Sequence, residues 1–290
     1  MSASLSRLVA GAAPGVVAVH SRRARSSGFV WKPGLVVTAD EALAEEGDIT
    51  VVLPGGETVA ASIAGRDPTT DVALLRLAPA GGLGTPLALN ASAAAAGALV
   101  VAVGAQDGAP MAAFGMVSFV GGAWRSMRGG DIGARIELDC ALRRAAEGGP
   151  VLDAAGHVLG MAVFGPQRRV LVIPAATVER VAARLEAHGR IARGYLGLSL
   201  QPVRLDAAGA RDVGGAGAMV MGVDASGPGA AAGVRQGDVI TTWDGRPVEG
   251  VPALLRALGP DSVGTAVALT VLRAGQALGL TLTVAERPQA

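Results

Sequence analysis

Between positions 16 and 173 the apolar residues come in short runs, at 16–20, 28–31, 35–38, 49–53, 58–64, 72–77, 99–103, 111–119, 135–138, 151–152, 158–164 and 170–173. Gly, Pro, Asp and Asn separate them, and such regularly spaced, strand-length runs argue for barrels rather than alternating βαβ units. The period changes at 175. Val178, Val181, Ala182 and Leu185 fall on one face at helical spacing, which predicts a helix over 175–188 with Gly189 as its C-cap. A short helix over 5–12 is expected to lead into the first strand.

The remaining segment has a pattern of its own, with strands expected at 195–200, 218–223, 239–243, 266–272 and 278–284 and a helix at 251–258. Asp244-Gly245 between apolar stretches marks a tight hairpin turn. Residues 191–194 read as a linker, so the chain divides into 1–190 and 194–286, and the expected fold class is mainly β.

Composition narrows the chemistry. The 290 residues have room for two or three cores. With three Trp, one Tyr and four Phe, those cores must be filled by aliphatic side chains, and 43 Gly imply many turns. The formal charge is +1 and Lys32 is the sole lysine, so no nucleic-acid-binding surface is expected. Cys140 lies in the alternation Ile136, Leu138, Cys140, Leu142, which makes it a half-buried strand thiol and leaves no internal disulfide. No apolar run reaches the ~18 residues of a membrane span. The stretch 8–19 has the length of an export-signal core, but Pro14 and Gly15 interrupt it and Arg22, Arg23 and Arg25 follow. The chain as given therefore reads as cytoplasmic, or as periplasmic if it was shortened before expression.

Several motifs in order carry a more specific resemblance. They are Ser27-Gly28-Phe29-Val30, Gly34-Leu35-Val36-Val37-Thr38, the run from Gly65 through Asp67-Pro68-Thr69-Thr70-Asp71 to Leu75, Val101-Ala102-Val103-Gly104, and Gly148-Gly149-Pro150-Val151-Leu152. Beyond them lie Gly194-Tyr195-Leu196-Gly197-Leu198 and Gly229-Ala230-Ala231-Ala232-Gly233-Val234, which continues through Arg235-Gln236-Gly237 to Asp238-Val239-Ile240. Together they resemble the HtrA/Deg family of trypsin-like serine proteases. The resemblance implies a double six-stranded β-barrel over 1–190 followed by a smaller α+β PDZ domain over 194–286, often in trimeric, periplasmic proteins; a homo-oligomer is compatible with it.

The resemblance also shows where this sequence departs. It puts the base at Glu41 instead of histidine, keeps the aspartate as Asp71, and puts the nucleophile at Glu147 instead of serine, with Ala145 in place of the oxyanion-hole glycine. A carboxylate with an ordinary pKa of ~4.3 is a weak base near neutrality. Nor can one serve as the acyl-forming hydroxyl, and its charge opposes a developing oxyanion. His20, His157 and His188 lack placed partners, Ser26, Ser27, Ser118 and Ser126 lack a nucleophile-elbow context, and the short segment 164–174 leaves the specificity pocket absent or filled.

If Glu41, Asp71 and Glu147 converge, their charge must be relieved by protonation, by Arg143 or Arg144, or by a divalent cation on those three side chains. Arginine pairing or outward-turned side chains is the plainer expectation, and no cofactor is expected. Tyr195, Leu196, Gly197 and Leu198, with Leu254, Leu255 and Leu258 of the helix, are candidates for binding peptides or protein C-termini by backbone capture and strand addition. Tyr195 could equally pack on the linker, and at least one of the three leucines should be core. The reading is a non-catalytic, HtrA-like peptide-binding protein whose barrel is a scaffold or regulatory surface. The alternatives are an active serine endopeptidase with a displaced site and a cation-binding protein.

Overall fold

The computed structural model describes residues 2–22, 24–44, 47–79, 84–89, 93–205 and 215–288. Contacts divide the chain into two units, Met1–Ile191 and Ala192–Ala290. In the first, helix α1 (Ser2–Ala12) ends in a turn containing Pro14 and precedes β1 (Val16–Ser21), β2 (Ala24–Lys32), β3 (Leu35–Thr38), β4 (Ile49–Val52), β5 (Thr58–Asp67) and β6 (Val72–Leu77). These strands close into an antiparallel barrel in the order β1-β2-β3-β6-β5-β4. Valines and leucines fill it, among them Val17, Val30, Val36, Val51 and Leu75, all fully buried. With almost no aromatics available, β-branched side chains on the inward positions supply both strand propensity and core volume.

A second closed antiparallel barrel follows. It begins with β7 (Leu99–Gln106) and β8 (Ala109–Gly121), passes through the two-stranded ribbon β9 (Trp124–Arg125) and β10 (Asp131–Ile132), and is completed by β11 (Arg135–Cys140), β12 (Pro150–Asp153), β13 (Val158–Phe164) and β14 (Val170–Pro174). Its strand order is β11-β14-β13-β12-β7-β8. Helix α2 (Ala175–His188) occupies the predicted residues, and the Gly189 N–H returns to the Leu185 carbonyl at 2.8 Å in left-handed backbone. Its face of Val178, Val181, Ala182 and Leu185 joins one core with Phe29 and Leu74 of the first barrel and Met161 and Ile173 of the second. Full burial of each large side chain contributes roughly 1.5–3 kcal/mol, so α2 binds the two barrels together.

The second unit consists of β15 (Gly194–Tyr195), β16 (Leu198–Arg204), β17 (Ala216–Val223), α3 (Pro228–Ala231), β18 (Val239–Trp243), β19 (Arg246–Pro247), α4 (Val251–Ala257), β20 (Ala266–Arg273), β21 (Gln276–Thr283) and β22 (Ala285–Glu286). Its sheet runs β16-β17-β18-β20-β21, with β16 at an edge. The single strand expected over 195–200 is two: Gly194–Tyr195 pairs with Ala285–Glu286, and β16 starts only after the loop at Leu196-Gly197. Asp244 and Gly245 both have positive φ, 49° and 74°, which is the type I′ geometry that an Asp-Gly hairpin requires. The molecule is therefore mainly β, with two six-stranded barrels followed by an α+β unit.

Candidate active site and peptide-binding loop

The end of β3 delivers Glu41 to the surface through buried residues. Ala39 is fully enclosed, and Asp40, also buried, is held by Arg66, whose Nε donates to its Oδ1 at 2.5 Å and whose Nη2 donates to its carbonyl at 3.1 Å. Beyond that anchor the Glu41 side chain turns to solvent and meets the Arg128 guanidinium at 3.2 Å. Arg128 comes from the loop between β9 and β10, far away in sequence.

Asp71 arrives by a different device. Asp67, buried at the end of β5, accepts the Thr69 N–H and hydroxyl with Oδ1 and the Thr70 hydroxyl with Oδ2, which fixes the Asp67–Asp71 turn. Asp71 itself holds left-handed backbone, φ 59°, uncommon for a residue other than glycine. Its Oδ1 accepts the Glu41 N–H at 2.7 Å. Enclosure by surrounding atoms pushes its pKa up to about 8; the Glu41 N–H opposes this, while the charges of Glu41, Glu147 and Asp40 add to it. The residue as a whole is only half-buried.

Glu147 closes a tight turn. Residues Arg144–Ala146 form a single 3₁₀ turn in which the Ala146 N–H donates to the Arg143 carbonyl at 2.9 Å and the Glu147 N–H to the Arg144 carbonyl at 3.1 Å. Ser27, fully buried on β2, fastens both ends of this segment: its hydroxyl donates to the Ala145 carbonyl at 2.6 Å and its N–H to the Glu147 carbonyl at 2.8 Å. Gly148 follows at φ 85°, and a Cβ there would lie 2.3 Å from the Ser27 carbonyl oxygen. The Glu147 side chain is 5 % exposed and its Oε1 accepts the Phe164 N–H at 3.3 Å. Burial raises its pKa; the Phe164 bond and the charge of Arg144 oppose that rise, Glu41 adds to it, and Arg168 opposes it.

In the second unit the segment after β15 forms a loop whose carbonyls face the fold. The Leu196 carbonyl accepts the Gly229 N–H and the Gly197 carbonyl accepts the Asp224 N–H, each at 2.8 Å. Gly197, at φ 67°, lies so close to Gly227 that a Cβ would sit 2.9 Å from its Cα. Tyr195 is held by β22 and donates its hydroxyl to Asp224 Oδ2 at 2.9 Å. On α4, Leu254 is core at 1 % exposure, Leu258 packs partly against that core, and Leu255 is 55 % exposed. Leu254 is therefore a core residue and not a surface one.

Residues 26–161 match the trypsin-like peptidase domain family, and residues 194–284 match the PDZ domain family. Over 279 residues the chain is 34% identical to a protein of Brucella suis biovar 1 (strain 1330) described as a probable periplasmic serine endoprotease, DegP-like, covering 91% of this chain and 53% of that protein. A protein of the same description from Rhizobium meliloti (strain 1021) is 30% identical over 279 residues, covering 92% and 54%. Among solved structures, the HtrA-type protease AlgW with tripeptide superposes with a TM-score of 0.73 at 27% identity over 98% of both chains. The chain is of the HtrA/DegP type. The serine endoprotease from Yersinia pestis shares the fold, with a TM-score of 0.75 at 24% identity over 98% of both chains. This HtrA/DegP-type chain spans about half the length of the curated relatives it matches.

Within the HtrA/DegP-type barrel unit, Glu41, Asp71 and Glu147 do come within electrostatic reach of one another. They do not assemble as ligands: among the described residues no group of three His, Cys, Asp or Glu side chains is placed to hold a metal ion. Of the two arginines expected to neutralise them, Arg144 acts on Glu147, and the ion pair to Glu41 comes from Arg128 instead. Arg128, Arg168 and Ser27 are residues whose part in the site the sequence pattern does not mark. The motif beginning Ser27-Gly28 is visible along the chain, but the hydroxyl's role depends on a segment 118 positions away. His20 and His157 lie beside Asp107 and Asp153 respectively, at 3.9 Å and 3.1 Å. Among the described residues no helix is long and apolar enough to cross a membrane.

Proposed function

We propose that this is a non-catalytic HtrA/DegP-type protein that binds peptides or protein C-termini through a PDZ domain at 194–286, with the barrel domain at 1–190 as its scaffold or regulatory surface. The observation that carries this reading is the turn at 143–147. Acyl transfer needs a nucleophile, a base, and amide donors converging on the oxyanion. At the position that the resemblance assigns to the nucleophile stands a buried carboxylate, and its own N–H is bonded to the Arg144 carbonyl instead of facing the cleft. Glu41 at the base position is engaged with Arg128. The loop Leu196-Gly197-Leu198, its first two carbonyls turned to the fold and β16 at the sheet edge beside it, suits capture of a C-terminal carboxylate followed by strand addition. Leu255 and Leu258 then form the apolar wall, and Tyr195 orders the loop through Asp224.

Relatives described as serine endoproteases make the active, displaced-site alternative the one to test. A labelled fluorophosphonate probe and a casein turnover assay should both read blank with the full chain; labelling that disappears on mutating one serine would establish the alternative. A free-carboxylate peptide ending in an apolar residue should bind, and its C-terminal amide should not. The periplasmic description of the relatives favours that compartment for this protein.

A further inference from the structure

Strand β21 ends the sheet of the PDZ unit on the side opposite β16. Its pairing with β20 is unbroken from Arg273–Gln276 to Ala266–Thr283, and a two-residue turn joins the strands, with Ala274 at φ 48° and Gly275 at φ 81°. A turn of that type makes Arg273–Gln276 a hydrogen-bonded pair, and bonding then alternates along the ladder. Gln276, Leu278, Leu280 and Leu282 therefore direct their main-chain groups to β20. Ala277, Gly279, Thr281 and Thr283 direct theirs outward, and among the described residues no other backbone is bonded to this strand. All four are exposed, and a Cβ added to Gly279 would meet nothing within 4 Å. Open edges are ordinarily guarded by charge, proline or a bulge. At the other edge β16 carries Pro202, Arg204 and a bulge after Ser199. Strand β21 has none of these, and α3 beside it consists of Pro, Gly and Ala.

We infer that β21 pairs antiparallel with β21 of a second copy of this chain, joining two PDZ sheets across a two-fold axis at Leu280. The occupant is a second copy because the pattern reads the same from either end of the strand. Leucines at 278, 280 and 282 alternate with small or hydroxyl side chains at 277, 279, 281 and 283. Register centred on Leu280 sets Leu278 against Leu282 and Gly279 against Thr281, and each outward amide then faces an outward carbonyl. Leu278, 39% exposed, is covered in the process. Identical uncharged strands do not repel each other, and a two-fold contact closes instead of propagating. A strip about 27 Å long buries less than about 1,200 Å² in total, the size of a transient interface, with a Kd on the order of tens of micromolar. The pairing leaves β16 free for peptide and does not rest on the non-catalytic reading.

Sedimentation velocity of the full chain tests this. Between about 1 and 200 µM the weight-average mass should rise toward twice its low-concentration value. Thr281→Lys places two like charges about 7–8 Å apart on diagonal positions across the axis, and Thr281→Glu does the same with the other sign. Each variant alone should associate about fivefold more weakly, whereas a 1:1 mixture of the two should recover the association, which also shows that both are folded. The register has its own readout. In a Cys140→Ala background, Leu280→Cys should form an interchain disulfide under oxidised glutathione, while Thr283→Cys, whose counterpart is Ala277, should not. A wild-type mass that stays constant over the range overturns the proposal. So does a rise that both charge variants share undiminished, which would place the association on another surface, or cross-linking that is equal at 280 and 283.

Discussion

Two aspartates, Asp238 buried in the PDZ unit and Asp71 half-buried in the barrel unit, have opposite surroundings. Asp238 of the PDZ unit is 1 % exposed and sits in a complete socket: Arg273 donates Nε to Oδ1 and Nη2 to Oδ2, each at 2.8 Å, and the Arg235 N–H donates to Oδ2 at 2.8 Å. Those Arg273 bonds hold its pKa below the ordinary range. Asp71 of the barrel unit has one N–H, from Glu41, and carboxylates in place of a guanidinium, so its pKa climbs to about 8. The barrel can supply cations where the fold needs them, since Arg66 clasps Asp40 a few residues away. Asp71 instead faces the Glu41 carboxylate, whose charge raises its pKa further.

Removing the negative charge should therefore act in opposite directions. Asp238→Asn breaks the fork and leaves Arg273, partly exposed, without its anion; we expect a loss of about 3 kcal/mol in urea unfolding near pH 7. Because the native pKa of Asp238 is lowered, its contribution is present above the unfolded value and fades as pH falls through the native one, so the deficit should narrow only below pH 3.8. For Asp71→Asn the amide keeps an acceptor for the Glu41 N–H and removes a charge the native state resists. A native pKa raised from 3.8 to about 8 means the wild type loses stability as pH rises across that interval. The variant should match it at pH 3.5, gain steadily above pH 4, and level off above about pH 8, with a ceiling of ~5 kcal/mol and a measured gain nearer 2 kcal/mol after relaxation. A gain that is flat with pH would show that Asp71 is not the titrating group.

Glu147→Gln probes the intermediate case, a buried carboxylate with an N–H and two nearby arginines. The gain toward neutral pH should have the sign of Asp71→Asn and be smaller, since Arg144 and Arg168 already offset part of the burial. If Glu147→Gln is instead destabilising, the arginines make Glu147 a structural ion.

Much of this contrast is legible in the amino-acid sequence, and what is not has a common cause. The barrels, α2 and the Asp244-Gly245 turn are local patterns: alternation, helical spacing, and a dipeptide whose backbone preferences are its own. The three acidic positions are visible because motifs flank each of them. Of the cations that balance them, only Arg144 is, since it stands three residues before Glu147. Arg128 reaches Glu41 only through the ribbon β9–β10, whose two-residue strands are too short to show any period. Arg144 acts on Glu147 from within the same turn, whereas Arg168 comes within electrostatic reach of it only through the closure of the second barrel, a relation that lies in the strand order instead of along the chain. Nor does composition reveal that Leu254 is core and Leu255 exposed, since α4 presents adjacent leucines to opposite sides.

The smallest effect tests whether the acidic positions act as one cluster. Glu41 and Arg128 are both well exposed, 47% and 56% for their side chains, so Arg128→Gln should cost only about 0.5 kcal/mol, and less in high salt. Its informative readout is elsewhere. The Glu41 carboxylate already pushes the Asp71 pKa upward, and without Arg128 it does so unopposed. The midpoint of the Asp71 titration, followed by carboxyl NMR or by the pH at which the gain of Asp71→Asn levels off, should therefore move to higher pH in the Arg128→Gln background. No movement would mean that solvent screens Glu41 from Asp71 despite the 2.7 Å bond between the backbone of one and the side chain of the other. The unfavourable state of Asp71 would then rest chiefly on desolvation, independent of the Glu41 charge.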